Sequence, residues 1–321
     1  MRLEDWREWP AERLVPVFAR QIDRWRDELG WEAHDLFELI EQARQGGVLP
    51  GLVAVDEDGV ILGWCYASIQ GGFLFVGALH GDRADIVRSL LDAVLDSPEA
   101  SLARGYRCFV FPETPAVAAA LARKRFDIQQ FLYLQRPVAQ RELIWPEALS
   151  VRAWTEQDLP DTARLLARAY AGSCDGHCFA PGGRLEEWAG YLAQIVRTPA
   201  CGTWASGESG LVRAEGVTDP VAVLLATHLS KSTTHVAQIA VDPRWRGRGI
   251  GARLIEHAAD QAVAVGATRQ TLLVSQANAT ARAAYARLGF VASSHFLYAE
   301  RSRISRVASS QAAETALEVT R

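Results

Sequence analysis

The sequence predicts an α/β protein built as two similarly ordered halves, and three observations predict it. The first is length: 321 residues exceed what one small domain needs, and about 150 residues per domain suggests two. The second is periodicity, since stretches with apolar residues at helical spacing alternate with short strand-like runs. The third is repetition. The same succession of runs occurs on either side of 137–150, a non-periodic stretch holding Pro137 and Pro146. Internal duplication is the simplest account. It divides the chain into domains at 1–140 and 150–302, with 303–321 a loose polar tail containing Ser309 and Ser310.

In the first half, helical spacing covers 14–29 and 33–45, and strand-like runs follow at 52–55, 60–69 and 73–79. A helix at 84–95, a strand at 106–111, a helix at 116–125 and a strand at 131–136 complete it. The second half opens with a short strand at 151–154 and a helix-start signal, Thr155-Glu156-Gln157-Asp158. A helix at 159–170, a glycine-rich stretch at 171–184 and a helix at 185–197 follow. Three strand-like runs come next, near 202–205, 221–229 and 235–241, the last two joined by the polar turn Ser230-Lys231-Ser232-Thr233. After Pro243, Ile250, Leu254, Ile255, Ala258, Ala259, Ala262 and Val263 recur at helical spacing until Gly266 ends the helix. A strand at 271–275, a helix at 279–287, Gly289 and a strand at 295–300 close the half.

Composition excludes several classes. Lys plus Arg number 34 against 38 Asp plus Glu, a formal charge of −4, so no basic surface suited to nucleic acid is expected. At 49% hydrophobic and 22% charged residues, the composition is that of an ordinary globular protein. No run reaches the ~18 apolar residues of a membrane span, and acids at Glu4 and Asp5 stand where a signal peptide would be apolar. A cytoplasmic protein with no membrane partner is expected. The odd count of cysteines, Cys65, Cys108, Cys174, Cys178 and Cys201, suits reduced thiols. Cys174 and Cys178 flank His177, but a zinc site needs three or four ligands and a second ligand pair is missing, so no metal is expected.

The most informative stretch is Val241-Asp242-Pro243-Arg244-Trp245-Arg246-Gly247-Arg248-Gly249-Ile250-Gly251, between a strand and a long helix. Unpaired amides in the helix's first turn can hold a pyrophosphate there, and glycine lets the backbone approach it. It lacks the Rossmann G-x-G-x-x-G spacing and the Gly-Lys-Ser/Thr of a Walker loop. Arg246-x-x-Gly249-x-Gly251 instead resembles the Q/R-x-x-G-x-G/A signature of the GNAT superfamily of acyl-CoA-dependent N-acyltransferases. A second block, Asn278-x-x-Ala281-x-x-x-Tyr285-x-x-x-Gly289-Phe290, is similar to that family's N-x-x-A-x-x-L-Y-x-x-x-G-F, departing in Ala284. The resemblance covers about 151–300.

What this resemblance implies is a pair of GNAT-like domains, each a mostly antiparallel mixed sheet flanked by helices, with its fourth and fifth strands splayed. Acetyl-CoA, as co-substrate, would lie in the gap. Its pantetheine would pair with backbone at Ile239, Ala240 and Val241, and its pyrophosphate would rest near Arg246, Gly247, Arg248, Gly249, Ile250, Gly251 and Ala252. Asn278 and Tyr285 would face the pantetheine and sulfur. The activity implied is acetyl transfer to a primary amine of a small molecule, peptide or protein, by direct attack in a ternary complex. A non-catalytic CoA-binding regulatory or scaffolding module is the alternative.

Such a reaction needs a neutral amine, stabilisation of a developing oxyanion and a proton for the departing thiolate. Tyr285 is the acid candidate by its place in the resemblance, and backbone N–H groups near Val241 are the oxyanion donors. Strand alternation puts His235, Ala237, Ile239 and Val241 on one face, and a symmetric hairpin would set His228 opposite His235 as a proton relay. The 171–184 segment occupies the place that overlies the acceptor, making Asp175 a candidate for ammonium recognition with His177 beside it. The run Arg123-Lys124-Arg125 reads as a solvated helix end.

The first half is expected to be a degenerate copy without acetyl-CoA. Aligning Ala122-Arg123-Lys124-Arg125-Phe126 with Ala286-Arg287-Leu288-Gly289-Phe290 puts Leu121 in place of Tyr285 and Thr114 opposite Asn278. Its strand-to-helix junction, Leu79-His80-Gly81-Asp82-Arg83-Ala84-Asp85-Ile86, has one glycine and two aspartates where three glycines and two arginines stand in the second half. Those carboxylates would repel a pyrophosphate.

Overall fold

Strand pairing, more than chain order, decides which segments pack together. The computed structural model describes residues 1–111, 114–140, 143–173 and 175–303, so the expected tail beyond Arg303 and residue Cys174 lie outside the described residues. In chain order the elements are β1 (Arg2–Asp5), α1 (Ala11–Leu29), α2 (His34–Gln45), β2 (Gly51–Val55), β3 (Ile61–Gln70), β4 (Phe73–Gly81), α3 (Ala84–Leu95), α4 (Pro98–Leu102), β5 (Gly105–Val110), α5 (Pro115–Arg123) and β6 (Asp127–Pro137). There follow β7 (Leu149–Ala153), α6 (Leu159–Ala169), α7 (Gly176–Phe179), α8 (Leu185–Arg197), β8 (Thr203–Trp204), β9 (Gly210–Ala214), β10 (Ala222–Ser230), β11 (Thr233–Val241), α9 (Ile250–Ala264), β12 (Arg269–Ser275), α10 (Ala279–Arg287) and β13 (Val291–Ser302). No described helix is long and apolar enough to cross a membrane.

Two compact units form, and they do not coincide with the contiguous halves at 1–140 and 150–302. The first comprises 1–11, 42–129 and the chain from 296; the second comprises 12–41 and 130–295. The cause lies in the last strand of each half. β6 pairs antiparallel with β12, from Phe131↔Ser275 to Pro137↔Arg269. The end of β13 pairs antiparallel with β5, from Leu297↔Val110 to Ser302↔Gly105. Each unit thus completes its sheet with the closing strand of the other sequence half.

In the first unit the strands run in the order β1-β2-β3-β4-β5-β13, all antiparallel except the parallel β4–β5 pair. The apolar face of α3, Ile86, Val87, Leu90, Leu91 and Val94, covers one side of this sheet with Val117 and Leu121 of α5, the stripe its helical spacing requires. In the second unit the order is β6-β12-β11-β10-β9-β7, with β8 added to β10, and here β11–β12 is the parallel pair. Ile250, Leu254, Ile255 and Ala258 of α9 pack on one side against Leu224, Ala226, Val236 and Leu272. Leu165 and Leu166 of α6 and Trp188, Leu192 and Ile195 of α8 pack on the other against Val223, Leu225 and Ala240. α1 reaches this second unit as well: Tyr133 Oη donates to Leu29 O (2.8 Å), and Glu32 N donates to Leu229 O (2.8 Å) just beyond it.

β6 is held in place by Arg136, whose side chain is 4% exposed. Its guanidinium meets Glu256 Oε1 at 2.6 Å, donates to Leu288 O at 2.9 Å and to Gln270 Oε1 at 2.8 and 3.0 Å, and lies 4.8 Å from the Phe290 ring centroid. One side chain from β6 therefore ties together α9, α10 and β12.

Two registers differ from the simple period-2 expectation. The turn keeps Ser230 opposite Thr233, but a shift between His228 and Ser230 then sets His228 against Thr234 and Thr227 against His235. Directly opposed residues share a face, so His228 and His235 point to opposite sides of the sheet and the expected facing pair does not form. A second shift, between Leu225 and Ala226, leaves Ala237 as the extra residue of β11. Ile239 and Val241 are thereby turned away from the face of His235, because a bulge inverts the alternation beyond it. β1, β9, α4 and α7 are elements with no sequence expectation: each is at most five residues long, too short to show a period.

His235 is buried, bonds Thr271 Oγ1 through Nδ1 (2.9 Å) and stacks on Tyr133 at 6.1 Å. Burial lowers its pKa to about 4. His228 sits on the other face with Nε2 3.0 Å from Glu208 Oε1, and that carboxylate raises its pKa.

Two outcomes follow from these contacts. Arg136→Leu removes the guanidinium that meets the buried Glu256 carboxylate, Gln270 and Leu288 and should cost about 3–5 kcal/mol in urea unfolding; a cost under about 1 kcal/mol would show that the network is dispensable. For His235 the folded pKa lies below the unfolded value, so the unfolded chain binds more protons between pH 6.5 and 4. Its contribution is complete above about pH 6.5 and is lost as pH falls to about 4, on the order of 3 kcal/mol. Unfolding free energies of wild type and His235→Gln at several pH values should diverge by that slope, and parallel curves would contradict it.

Candidate active site

The site begins where a ladder stops. β11 and β12 run parallel from Thr233↔Arg269 to Val236↔Leu272, and beyond the bulge at Ala237 they part, although β11 continues to Val241 and β12 to Ser275. On its other edge β11 stays paired with β10, with Ile239, Ala240 and Val241 opposite Leu224, Val223 and Ala222. A strand paired on one side only presents backbone donors and acceptors to whatever enters the gap.

The glycine loop opens at the end of this strand. Asp242 caps the turn Pro243–Trp245 by accepting from Arg244 N (3.0 Å). Arg244 and Arg168 flank its carboxylate, at 3.0 and 3.1 Å, and hold its pKa down to about 2. Gly247 and Gly249 have φ of 75° and 74°, a left-handed conformation that L side chains rarely adopt. Gly249 is the N-cap of α9 and has no side chain to cap it, so first-turn amides and the positive end of the helix dipole face outward. A β-carbon at Gly247 would meet nothing within 4 Å, and one at Gly251 would touch Val241 Cγ2 at 3.4 Å. Ile250 is buried beneath the loop and Ala252 is half-buried. Arg246 is engaged otherwise: it donates to Ala169 O (2.6 Å) and Val241 O (3.3 Å), anchoring the loop to α6 and β11. Arg248 lies 4.6 Å over the Trp245 ring.

α10 supplies the second group of residues. Asn278 Oδ1 accepts from Ala281 N (3.0 Å) as the helix N-cap, and its Nδ2 donates to Asp175 Oδ2 (3.1 Å). Tyr285, two turns on, is half-buried and packs edge-on to Phe290. Burial and the nearby Asp175 carboxylate raise its pKa to about 12, so its hydroxyl keeps its proton at neutral pH. Asp175 is buried just ahead of α7, whereas His177, one residue into that helix, is exposed beside Cys178.

Sequence reasoning missed a polar cluster on the face opposite α9. Tyr170 Oη donates to Gln238 Oε1 (2.7 Å), which also accepts from Ile239 N (2.8 Å), and Gln238 Nε2 donates to Tyr191 Oη at 3.4 Å. Burial keeps the hydroxyls of Tyr170 and Tyr191 protonated. In the sequence these tyrosines fall on apolar helix faces and read as core; the signal was Gln238, a polar residue amid an apolar strand. Glu208, the partner of His228, was missed too. Among the described residues no three His, Cys, Asp or Glu come together as a metal site, and Cys174 lies outside them.

Acetyl-CoA is the group this arrangement suits. The fit rests on the left-handed glycines, the uncapped start of α9 and the one-sided strand edge. Residues 247–252 would hold its pyrophosphate and 239–241 its pantetheine.

The family model described as "Acetyltransferase (GNAT) family" matches residues 155–290. No curated protein matches the sequence. Among solved structures, the chain is similar to a GCN5-related N-acetyltransferase from Sphaerobacter thermophilus, at 16% identity over 94% of this chain and 95% of that one, with a TM-score of 0.65. It is also similar to a tandem GNAT protein from the clavulanic acid biosynthesis pathway, at 14% identity over 79% and 82% of the two chains and a TM-score of 0.57. A third likeness is to a GCN5-related glucosamine N-acetyltransferase region of a fungal multi-domain GH3 β-N-acetylglucosaminidase, at 13% identity over 94% of this chain and 38% of that one, with a TM-score of 0.60. These likenesses concern the fold. The family match takes in the parted strands, the loop ahead of α9 and Tyr285 alike, so residues 155–290 are similar to an acetyltransferase domain of the GNAT family.

Proposed function

We propose that the second unit transfers an acetyl group from acetyl-CoA to a primary amine by direct attack in a ternary complex. The observation that carries this reading is the parting of β11 and β12 onto a glycine-lined, uncapped helix start, with Tyr285 on the helix that follows β12. Bound acetyl-CoA supplies an activated thioester carbonyl. The chain's own part is to hold it on the amides of α9 and the edge of β11, and to keep a protonated phenol at Tyr285 for the departing thiolate. Backbone N–H groups of β11 near Val241 are the donors for charge developing on the carbonyl oxygen. Neither histidine suits the base. His235 is buried with a pKa near 4 and is a weak proton acceptor at pH 7, while His228 is engaged with Glu208 on the opposite face. The acceptor ammonium therefore loses its proton to water before attack.

The first unit supports a tandem arrangement with one working site. It repeats the architecture closely: β4–β5 pairing ends at Val76↔Cys108, and a bulge opposite Tyr66 and Ala67 leaves Gly77 as the extra residue. Thr114 caps α5 by accepting from Val117 N, as Asn278 caps α10, and Arg125 takes the positive φ that Gly289 takes there. The bulge, however, is covered by a ring. The Tyr66 ring lies over Gly77 so closely that a β-carbon at that glycine would overlap it, and Trp6 stacks on Tyr66 at 5.7 Å. At the start of α3, Asp85 pairs with Arg83, leaving little positive charge for a pyrophosphate.

Two measurements test this reading. Calorimetric titration of acetyl-CoA into the intact chain should saturate at one equivalent, and Gly249→Glu, which puts a carboxylate and a strained side chain at the helix start, should abolish it. A second equivalent surviving that change would mean that the first unit binds the cofactor. Free-thiol release with acetyl-CoA and a panel of amines should show turnover. In Tyr285→Phe, kcat should fall about a hundredfold with cofactor affinity held within about twofold. Equal turnover in the variant would remove Tyr285 from the acid role, and cofactor binding without turnover of any amine would favour a CoA-binding module.

A further inference from the structure

Resting on the acetyltransferase reading, we propose that Gln238 tunes the hold on acetyl-CoA: its carboxamide covers the Ile239 N–H, the β11 donor that the thioester carbonyl requires, and the cofactor has to displace it. Three placements carry this. The first is the direction of the Ile239 amide. Asp242 N donates to Val221 O, just ahead of β10, at 2.9 Å. Ala240 and Gln238, paired with Val223 and Leu225, turn their backbone groups to β10 in the same way, since alternate residues of an antiparallel strand bond to the same neighbour. Ile239 and Val241, between them, turn theirs to the gap left by β12.

The second is the side chain laid over that amide. Gln238 is 4% exposed, and its Oε1 accepts from Ile239 N (2.8 Å) and Tyr170 Oη (2.7 Å). The carboxamide has one orientation here. An N–H can only donate, so the oxygen faces Ile239, and Nε2 donates to Tyr191 Oη (3.4 Å), which in turn donates to Ala237 O (3.5 Å). A donor facing the gap is thus satisfied from within the chain.

The third is where the thioester falls. With the pyrophosphate on 247–252, beyond the end of β11, the pantetheine runs back along the strand and brings the thioester to its parting end, at Ile239. Tyr285, the proposed acid for the sulfur, is close enough for its charge to act on Tyr170, so the phenol that holds Gln238 stands at that same end. A neutral carboxamide and a neutral thioester carbonyl compete for the Ile239 N–H on nearly equal terms, whereas an oxyanion makes a charge-assisted bond roughly twice as strong. Gln238 therefore competes with the bound substrate and yields as charge develops.

The test uses the full chain and Gln238→Met, which keeps the length of the side chain without its carbonyl oxygen, with Gln238→Leu as a second variant should the first fail to fold. In isotope-labelled protein free of cofactor, the Ile239 amide should exchange with solvent about fivefold faster or more in the variant than in wild type. Calorimetry then compares acetyl-CoA with S-ethyl-CoA, a thioether lacking only the carbonyl oxygen. Wild type should bind the two within about twofold of each other. The variant should bind acetyl-CoA about threefold tighter or more than wild type does, with S-ethyl-CoA unchanged within about twofold. An unchanged Ile239 exchange rate, an acetyl-CoA affinity that stays or falls, or equal tightening of both ligands overturns the inference and leaves the acetyltransferase reading intact. Failure of wild type to bind acetyl-CoA overturns that reading, and the inference with it.

Discussion

The site depends on one constraint: β11 cannot stay paired with β12 once Ala237 is inserted. A parallel ladder requires both strands to advance in step, and an extra residue on one of them bends and twists it away from its neighbour. β10 absorbs the same insertion as a register shift at Leu225 and Ala226, so β11 remains in the sheet on that side alone. A cleft is thereby opened in the middle of a sheet, where it is flanked by packed layers on both faces, and not at an exposed rim. The inversion of faces beyond the bulge also lets Gln238 meet Tyr170 and Tyr191 while Ile239 and Val241 pack toward α9.

A sheet opened at its centre needs firm support on the outer side of the parting strand. β12 has it from β6, which pairs along the whole of β12 from Arg269 to Ser275, and Arg136 of β6 reaches Gln270 of β12, Glu256 of α9, and Leu288 and the Phe290 ring after α10. The loop ahead of α9 is held just as firmly, by Asp242 with its two arginines and by Arg246 on Ala169 and Val241. Charged side chains here serve mainly to fix backbone, and the amides of the helix start stay uncapped by any side chain.

The first unit repeats much of this backbone with a different side chain above its bulge. Its bulge, its parted parallel pair and its capped α5 persist. Where Leu225 stands opposite Gln238 in the second unit, Tyr66 stands opposite Ala78 in the first, and one aromatic ring occupies the space above the bulge. Backbone architecture is set by many contacts and is kept while the side chain above the bulge differs.

Local structure was legible in the sequence because it is written in neighbouring residues. The glycine spacing at Gly247, Gly249 and Gly251 marked the start of α9, and Asn278 marked the cap of the helix that carries Tyr285. The bounds of α3, α8 and α10 were readable to the residue, since periodicity lies within each segment and Pro or Gly signals lie close to its ends. What pairs with what was not legible. The exchange of β6 and β13 joins residues more than 130 positions apart, and both strands read alike whichever sheet they complete. The slip that separates His228 from His235 and the bulge at Ala237 are single-residue offsets, invisible to a period of two, and they became determinate only when packing on both faces of the sheet selected which side chains were buried. Only then did Gln238, Tyr170 and Tyr191, scattered over nearly 70 positions of the chain, meet in one hydrogen-bonded cluster.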